Sequence, residues 1–130
     1  MTAADTVREY YESLRRGEPL YPYFVEDPRT AKFGVSESLL GYDDVAEALR
    51  EQRRTTEAWT VDSRRLSVAE RDGYAWFSDE VDLGWTDSSS GRRRAYPTRW
   101  SGTLERHDGE WLFAELHVSA PDESLAAAGD

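Results

Sequence analysis

The chain has 130 residues, of which 26 are acidic and 16 basic, so its formal net charge is −10. It contains no cysteine, which excludes disulfides, thiol nucleophiles and cysteine metal sites. No apolar run approaches the roughly 20 residues of a membrane span, and the N-terminus has no apolar signal core. These features predict one domain located in the cytoplasm, without a membrane partner.

The excess of carboxylates has two interpretations. Lys32 is the only lysine, and acidic, lysine-poor surfaces are typical of proteins from salt-rich cytosols, where salt screens self-repulsion. A partner-binding acidic patch is the alternative, but the acids are spread along the chain. Nucleic-acid binding is disfavoured because it depends on cations that neutralise phosphates. The one basic cluster, Arg92–Arg94, is interpreted as a solvated loop tip.

An amphipathic helix is predicted near the N-terminus. Asp5 or Thr6 is expected to cap its start, and Gly17 is expected to end it. Its apolar side chains recur with the i, i+3, i+4, i+7 spacing of a helix face, and they are Val7, Tyr10, Tyr11 and Leu14.

Three further elements are predicted before the sequence pattern changes. The apolar segment 20–25 predicts a single turn or short helix, and segment 31–35 predicts a short strand. A second long helix is expected after Gly41, with Asp43 or Asp44 as its cap.

From Trp59 onward, apolar and polar residues alternate with the period of two that is typical of strands. A hairpin turn is predicted at Asp108 and Gly109, because both central residues of a type I′ turn need φ > 0. Since the helices all precede the strands, we expect an α+β fold with the helices on one face of an antiparallel sheet. The four long strands are predicted at 58–71, 74–86, 93–107 and 110–120.

The last hairpin carries a family resemblance. Segment 99–121, RWSGTLERHDGEWLFAELHVSAP, and the helix segment LLGYDDVAEAL resemble a SnoaL-like domain of the nuclear transport factor 2-like superfamily. The hairpin also resembles the end of the association domain of calcium/calmodulin-dependent kinases. The similar features of the hairpin are an arginine, the Asp-Gly turn, a tryptophan and a His-x-Ser ending.

The resemblance implies a cone-shaped α+β fold over residues 1–121. The small and polar residues after Pro121 predict a flexible acidic tail at 122–130. In this fold, N-terminal helices pack on the concave face of a strongly curved antiparallel sheet of four long strands and one short strand. The family also implies a pocket under the helices and a homodimer formed through the convex face. Its members include cyclases, isomerases, dehydratases and non-catalytic modules, so the fold alone does not give the chemistry.

A cavity for a hydrophobic small molecule is expected on the concave face. The last strand is expected to present its aliphatic alternation there, which comprises Leu112, Ala114, Leu116 and Val118. Aromatic walls with few polar groups suit a planar or hydrophobic ligand. The expected lining residues are Tyr10, Tyr23, Phe24, Phe33, Phe77, Val81, Trp85, Tyr96, Trp100 and Leu116.

Asp79 is the one carboxylate on this otherwise apolar alternation. A buried carboxylate without a partner is costly unless it protonates, so Asp79 is the first candidate for a general acid or base. The alternatives are a register slip and a buried carboxylate paired with an arginine or a tyrosine hydroxyl. His117 is the alternative catalytic residue if the two sheet faces are exchanged.

The opposite alternation predicts a dimer interface, because exposed tryptophans form an adhesive patch that a second subunit can cover. A non-catalytic assembly module is the remaining functional alternative. With two histidines, no cysteine and no glycine-rich phosphate loop, neither a metal nor a cofactor is expected. The predicted interface residues are Trp76, Glu80, Arg99, Trp111, Phe113, Glu115 and His117.

Overall fold

The fold is known from a computed structural model that describes residues 1–122 and 124–125. Most of the tail predicted at 122–130 therefore lies outside the described residues. The helices are α1 (Ala3–Arg16) and α2 (Tyr42–Thr55), with a 3-10 helix at Tyr21–Tyr23 between them. The strands are β1 (Ala31–Phe33), β2 (Ser38–Leu40), β3 (Thr56–Ser63), β4 (Ser67–Glu70), β5 (Tyr74–Asp87), β6 (Arg93–His107) and β7 (Glu110–Ser119).

All seven described strands belong to one curved, mixed sheet. Its order is β2-β1-β7-β6-β5-β3, and β4 pairs with β5 beyond the end of β3. The predicted α+β fold with a curved sheet is confirmed, with three differences in the strands. Segment 58–71 is split into β3 and β4, β2 was not expected, and β1 runs parallel to β7. A parallel pair is possible here because a long segment of the chain connects β1 to β7, whereas a short hairpin would make two strands antiparallel.

The predicted hairpin between β6 and β7 is confirmed by its backbone angles. Asp108 and Gly109 have φ values of 51° and 81°, so both adopt the left-handed conformation that the type I′ turn requires. This turn fixes the register of β6 and β7 next to it.

Helix α1 begins earlier than predicted. The Thr2 hydroxyl accepts a hydrogen bond from the Asp5 backbone N–H at 3.1 Å, and the Asp5 carboxylate accepts one from the Thr2 N–H at 3.0 Å. This reciprocal capping box makes Thr2 the cap, so the prediction of a cap at Asp5 or Thr6 is wrong. Gly17 ends the helix as predicted, with a φ of 70°.

The core lies between the two helices and the face of the sheet that they cover, which we call the concave face. Burial of large apolar side chains of this kind is worth about 1.5–3 kcal/mol each. Helix α1 contributes Val7, Tyr10, Tyr11 and Leu14, and all four are buried as the helical spacing predicts.

A β-bulge interrupts the alternation of β7. Thr103 of β6 pairs with Glu115, whereas its neighbour Leu104 pairs with Phe113, so Ala114 has no partner of its own. One extra residue in a strand reverses the faces of all side chains on one side of it. The two halves of β7 therefore follow opposite alternations.

The bulge overturns part of the predicted dimer interface. Trp111 and Phe113 lie in the core with exposures of 4% and 0%, so their assignment to the convex face is wrong. Leu112 is paired with the exposed Glu105 of β6. The prediction that Leu112 lies on the concave face is therefore wrong. Beyond the bulge, Leu116 and Val118 are buried on the concave face.

Candidate functional site

A cavity of about 440 Å³ lies between the two helices, the β1–β2 hairpin and the concave face. Tyr10 and Trp100 line it and are buried, whereas Trp59 and Trp85 line it and are half-buried. The volume falls within the range of about 300–1,000 Å³ that is typical of small-molecule sites. The cavity is therefore large enough for a planar organic molecule, and four aromatic side chains contribute to its walls.

Two stacked indoles form the outer wall of the cavity. The rings of Trp59 and Trp85 lie 4.8 Å apart at an angle of 20°, and the Tyr96 ring lies 5.6 Å from Trp85 on the same sheet face. The Trp59 Nε1–H donates to Thr56 Oγ1 at 2.9 Å, and the Trp85 Nε1–H donates to Asp87 Oδ1 at 3.2 Å. Since both indole N–H groups are bonded within the protein, the rings offer a ligand their apolar surfaces.

A strained segment of β3 positions Trp59. Ala58 has a φ of 56°, and the β3–β5 register shifts between Glu57 and Thr60. The Arg93 guanidinium stabilises this irregular segment, because it donates to the Ala58 carbonyl at 2.5 Å and to Thr60 Oγ1 at 2.9 Å. A left-handed alanine is unfavourable on its own, so these bonds help to hold the conformation that turns Trp59 toward the cavity.

An ion pair lies on the wall formed by the β1–β2 hairpin. The Lys32 ammonium donates to Glu37 Oε1 at 2.7 Å, and both residues line the cavity. Lys32 is only 6% exposed, whereas Glu37 is half-buried. An ammonium removed from water to this degree requires a partner, and Glu37 provides it.

The Tyr10 hydroxyl is a neutral polar group of the same cavity. Burial raises the pKa of Tyr10 well above its ordinary value, and the negative charge of Glu37 and the neighbouring Tyr23 raise it further. No residue of the described part of the chain forms a hydrogen bond with this hydroxyl. Tyr10 therefore remains protonated at neutral pH and is available as a donor.

Asp79 is buried but does not line this cavity. Its Oδ2 accepts from the Tyr11 hydroxyl at 2.8 Å and from the Ser63 hydroxyl at 2.6 Å, and its Oδ1 accepts from the Arg65 N–H at 2.9 Å. The same environment raises the pKa of Tyr11. Burial is the largest cause, followed by the hydrogen bond to Asp79 and by the negative charge of Asp79. Of the predicted alternatives, the pairing with a tyrosine hydroxyl is the one present in the structure.

Apart from Phe33, the remaining predicted lining residues occupy three kinds of position. Phe24, Phe77, Val81 and Leu116 are buried in the core without lining the cavity. Tyr23 packs edge-on against Tyr10, with ring centroids 5.5 Å apart, and Tyr96 is partly exposed beside Trp85. Of the predicted lining residues, those that the structure places around the cavity are Tyr10, Trp85 and Trp100.

Strand β1 inverts the expected distribution of its side chains. Lys32 pairs beside the buried Leu116, whereas Phe33 pairs beside the exposed His117, with ring centroids 5.6 Å apart. The prediction that Phe33 lines the pocket is wrong, because β1 aligns with β7 in the register that turns Lys32 inward. His117 lies on the same convex side, away from the cavity.

Lys32, Glu37 and Trp59 are among the cavity residues that sequence reasoning missed. The available signal for Lys32 was that it is the only lysine of the chain, in which the other permanently cationic side chains are all arginines. Glu37 had no comparable signal, because its contact with Lys32 depends on the β1–β2 turn. Trp59 follows the β3 irregularity, which alternation alone does not reveal.

The convex face carries an exposed aromatic pair. Trp76 is 45% exposed, its ring stacks with that of Tyr74 at 6.2 Å, and the Arg71 guanidinium lies 5.0 Å from the Trp76 ring centre. Glu80 lies directly beside Arg99 in the β5–β6 register. Glu115 and His117 extend this exposed polar surface onto β7.

The described residues offer neither a cluster of metal ligands nor a membrane-spanning helix. Residues 1–122 and 124–125 contain no group of three or more potential metal-ligating His, Asp or Glu side chains. Over the same residues, neither helix has the length and hydropathy needed to cross a bilayer.

The SnoaL-like domain model matches residues 4–123, which is nearly the whole chain. The chain belongs to the SnoaL-like domain family. The predicted resemblance to a SnoaL-like domain is thereby confirmed. Among curated proteins, none matches this SnoaL-like protein.

Solved structures with similar folds come from several bacteria. A nuclear transport factor 2-like superfamily protein from Salmonella enterica has a TM-score of 0.79 and 16% identity, over 91% of this chain and 87% of that chain. A ketosteroid isomerase-like protein from Erwinia carotovora atroseptica has a TM-score of 0.77 and 14% identity, over 93% of this chain and 95% of that chain. An uncharacterized protein with a cystatin-like fold from Caulobacter vibrioides has a TM-score of 0.75 and 15% identity, over 98% of this chain and 92% of that chain. At these identities the likeness establishes the fold alone.

Proposed function

We propose that this SnoaL-like protein binds a hydrophobic, planar small molecule in its cavity. The observation that carries the proposal is the wall of Tyr10, Trp59, Trp85 and Trp100 around a space of about 440 Å³. Flat aromatic surfaces favour ring systems that stack on them or meet them edge-on. The polar groups of the wall would orient the ligand, whereas the aromatic surfaces would supply most of its affinity.

We also propose that the protein acts as a homodimer formed through the convex face. The exposed Tyr74–Trp76 pair supports this, since an aromatic patch beside polar side chains is a common composition for an interface. With Trp111 and Phe113 in the core, the proposed interface residues are Trp76, Glu80, Arg99, Glu115 and His117.

A reaction of cyclase, isomerase or dehydratase type is the second candidate function. The observation in its favour is that Glu37, Lys32 and Tyr10 line one cavity. A carboxylate that accepts a proton and donors that stabilise an oxyanion are the groups needed for proton transfer beside a carbonyl. Asp79 as the general acid or base is less well supported, because three donors already occupy its oxygens.

Fluorescence titration with 6-propionyl-2-(dimethylamino)naphthalene tests the binding proposal. This uncharged planar ketone changes its emission when it leaves water, so a saturable emission change reports entry into the cavity. We expect Trp85→Ala to weaken binding about tenfold, because part of the aromatic wall of the cavity is lost. Trp76→Ala is the matched control, since Trp76 lies on the convex face and its loss should leave the titration unchanged.

Equal weakening by both substitutions would contradict the assignment of the binding site to the cavity. Deuterium exchange separates the second candidate from simple binding. If Glu37 removes a proton from the carbon beside the ketone, the bound probe should exchange that proton with D₂O faster than the free probe. Glu37→Gln should abolish the acceleration, and its persistence in this variant would exclude Glu37 as the base.

A further inference from the structure

We propose that Lys32 is the specificity-determining residue of the cavity and that it selects an uncharged ligand with an oxygen acceptor, such as a ketone. This inference rests on the proposed binding function and adds the chemical class of the ligand. It is carried by the donors left over on Lys32, by the way Glu37 is held in place, and by the balance of charges around the cavity.

Lys32 has more hydrogen-bond donors than partners. An ammonium group offers three N–H donors, and among the described residues only Glu37 Oε1 accepts from it. Because Lys32 is 6% exposed and lines the cavity, the remaining donors have little access to bulk water outside it. A buried donor without an acceptor is costly, so an oxygen atom of the ligand would be bound with a strong, charge-assisted hydrogen bond.

Gly34 leaves room for the Glu37 side chain to reach Lys32. The Gly34 N–H donates to the Glu37 carbonyl at 3.0 Å, which closes the β1–β2 turn. A Cβ atom at Gly34 would lie 2.8 Å from both Cγ and Oε1 of Glu37, so the side chain of Glu37 crosses the space that any larger residue would fill. The turn therefore provides Lys32 with a counterion of its own, and the ligand does not have to supply one.

The charges of the lining disfavour an anionic ligand. The ionisable side chains with formal charge in the lining are Lys32, Glu37 and Glu51, and Glu51 is paired with Arg54 on α2. The chain as a whole carries a formal charge of −10, which also repels anions. A carboxylate bound to a spare N–H of Lys32 would lie close to the like charge of Glu37, whereas a ketone accepts from the same N–H without that repulsion.

Three probes that differ at one position test this inference on the unaltered protein. They are 6-propionyl-2-(dimethylamino)naphthalene, its 6-propyl analogue without the oxygen, and the corresponding 6-carboxylate. We expect the ketone to bind about tenfold more tightly than the propyl analogue, as one charge-assisted hydrogen bond predicts, and the carboxylate to bind more weakly than the ketone.

Lys32→Met then removes the ammonium while keeping the length of the side chain. The preference for the ketone over the propyl analogue should disappear, the affinity for the propyl analogue should stay the same, and the emission of the bound ketone should shift to the blue. Lys32→Met combined with Glu37→Met replaces the whole ion pair with apolar side chains and gives the same readouts if the single variant does not fold.

The outcomes separate this inference from the function on which it rests. A ketone preference that survives removal of Lys32, or a carboxylate that binds most tightly, overturns the inference while leaving the binding function in place. Failure of all three probes to bind overturns both. Loss of the preference together with unchanged binding of the propyl analogue supports both.

Discussion

The Tyr11 hydroxyl donates a 2.8 Å hydrogen bond to Asp79 Oδ2, and this bond joins the middle of α1 to the middle of β5. Asp79 lies where β5 changes its neighbour from β3 to β4. It also accepts from Ser63 at the end of β3 and from Arg65 in the bend between those two strands. One carboxylate therefore connects the first helix, the bend and the longest hairpin. The position that sequence reasoning assigned to chemistry is used here to hold three elements together.

Replacement of Asp79 should therefore destabilise the fold. Asp79→Ala leaves the donors of Tyr11, Ser63 and Arg65 without their acceptor, and we expect a loss of roughly 2–4 kcal/mol in the free energy of unfolding. Tyr11→Phe removes only one donor and should cost about 1 kcal/mol. Urea unfolding measures both losses, and Asp82→Ala is the control because Asp82 is an exposed residue of the same strand.

An opposite pattern would restore the catalytic interpretation of Asp79. If Asp79→Ala retained full stability but lost the turnover or binding of a ligand, the carboxylate would act on that ligand. Until such a measurement is made, the role of Asp79 as an acid or base stays a prediction.

The two buried tyrosines of α1 should make the protein less stable at high pH. Burial raises the pKa of both Tyr10 and Tyr11, so the folded state retains protons that the unfolded chain releases above about pH 10. The unfolded state then binds fewer protons than the folded state, and the free energy of unfolding falls as pH rises. Below about pH 10 their contribution is fully present, and above it each should remove about 1.4 kcal/mol per pH unit.

Urea unfolding at about pH 9, 10 and 11 measures this slope. Tyr10→Phe and Tyr11→Phe should each reduce the slope, and the two substitutions together should reduce it most. A double variant with the same slope as the unaltered protein would show that other groups cause the loss.

Gly102 should tolerate no side chain. A Cβ atom there would collide with the carbonyl oxygen of Glu115 on β7 and approach the Phe77 ring to 3.0 Å. Because the first obstacle is backbone, Gly102→Ala should force β6 and β7 apart and lower the free energy of unfolding by about 2 kcal/mol or more. Gly73→Ala is the matched control, since nothing lies within 4 Å of a Cβ at Gly73. Similar midpoints of thermal unfolding for the two variants would contradict this account of β6.

The proposed dimer depends on the convex face and can be tested there. Trp76→Arg places a second cation beside Arg71 and removes the exposed indole, so sedimentation should show monomers with unchanged helix and strand content. Leu40→Arg is a control at another exposed apolar residue, on β2 at the sheet edge. A dimer that persists in the Trp76 variant would place the interface elsewhere on the molecule.

The overall fold could be predicted because several sequence signals agree. The helical spacing from Val7 to Leu14, the glycine after α1 and the Asp108–Gly109 turn each act locally, and the structure confirms them. The cavity was harder to predict because its lining depends on strand register. Alternation cannot show that Lys32 points inward and Phe33 outward, since the face of β1 is fixed by its pairing with β7.

Irregular residues account for most of the remaining errors. The inserted Ala114 and the left-handed Ala58 leave no distinctive sequence pattern, because alanine is common in regular strands and helices alike. Each redirects aromatic side chains, Phe113 in one case and Trp59 in the other. The cytoplasmic location and the salt-adapted source rest on composition and stay predictions.

The bulge at Ala114 also affects how this chain must be compared with its relatives. A relative whose last strand lacks the extra residue can be aligned correctly only with a gap at that position. Without the gap, every residue on one side of Ala114 is equated with a residue that faces the opposite side of the sheet. Conservation scores for the last strand would then mix core positions with positions of the convex face, and a site transferred by such an alignment would fall on the wrong side of the sheet.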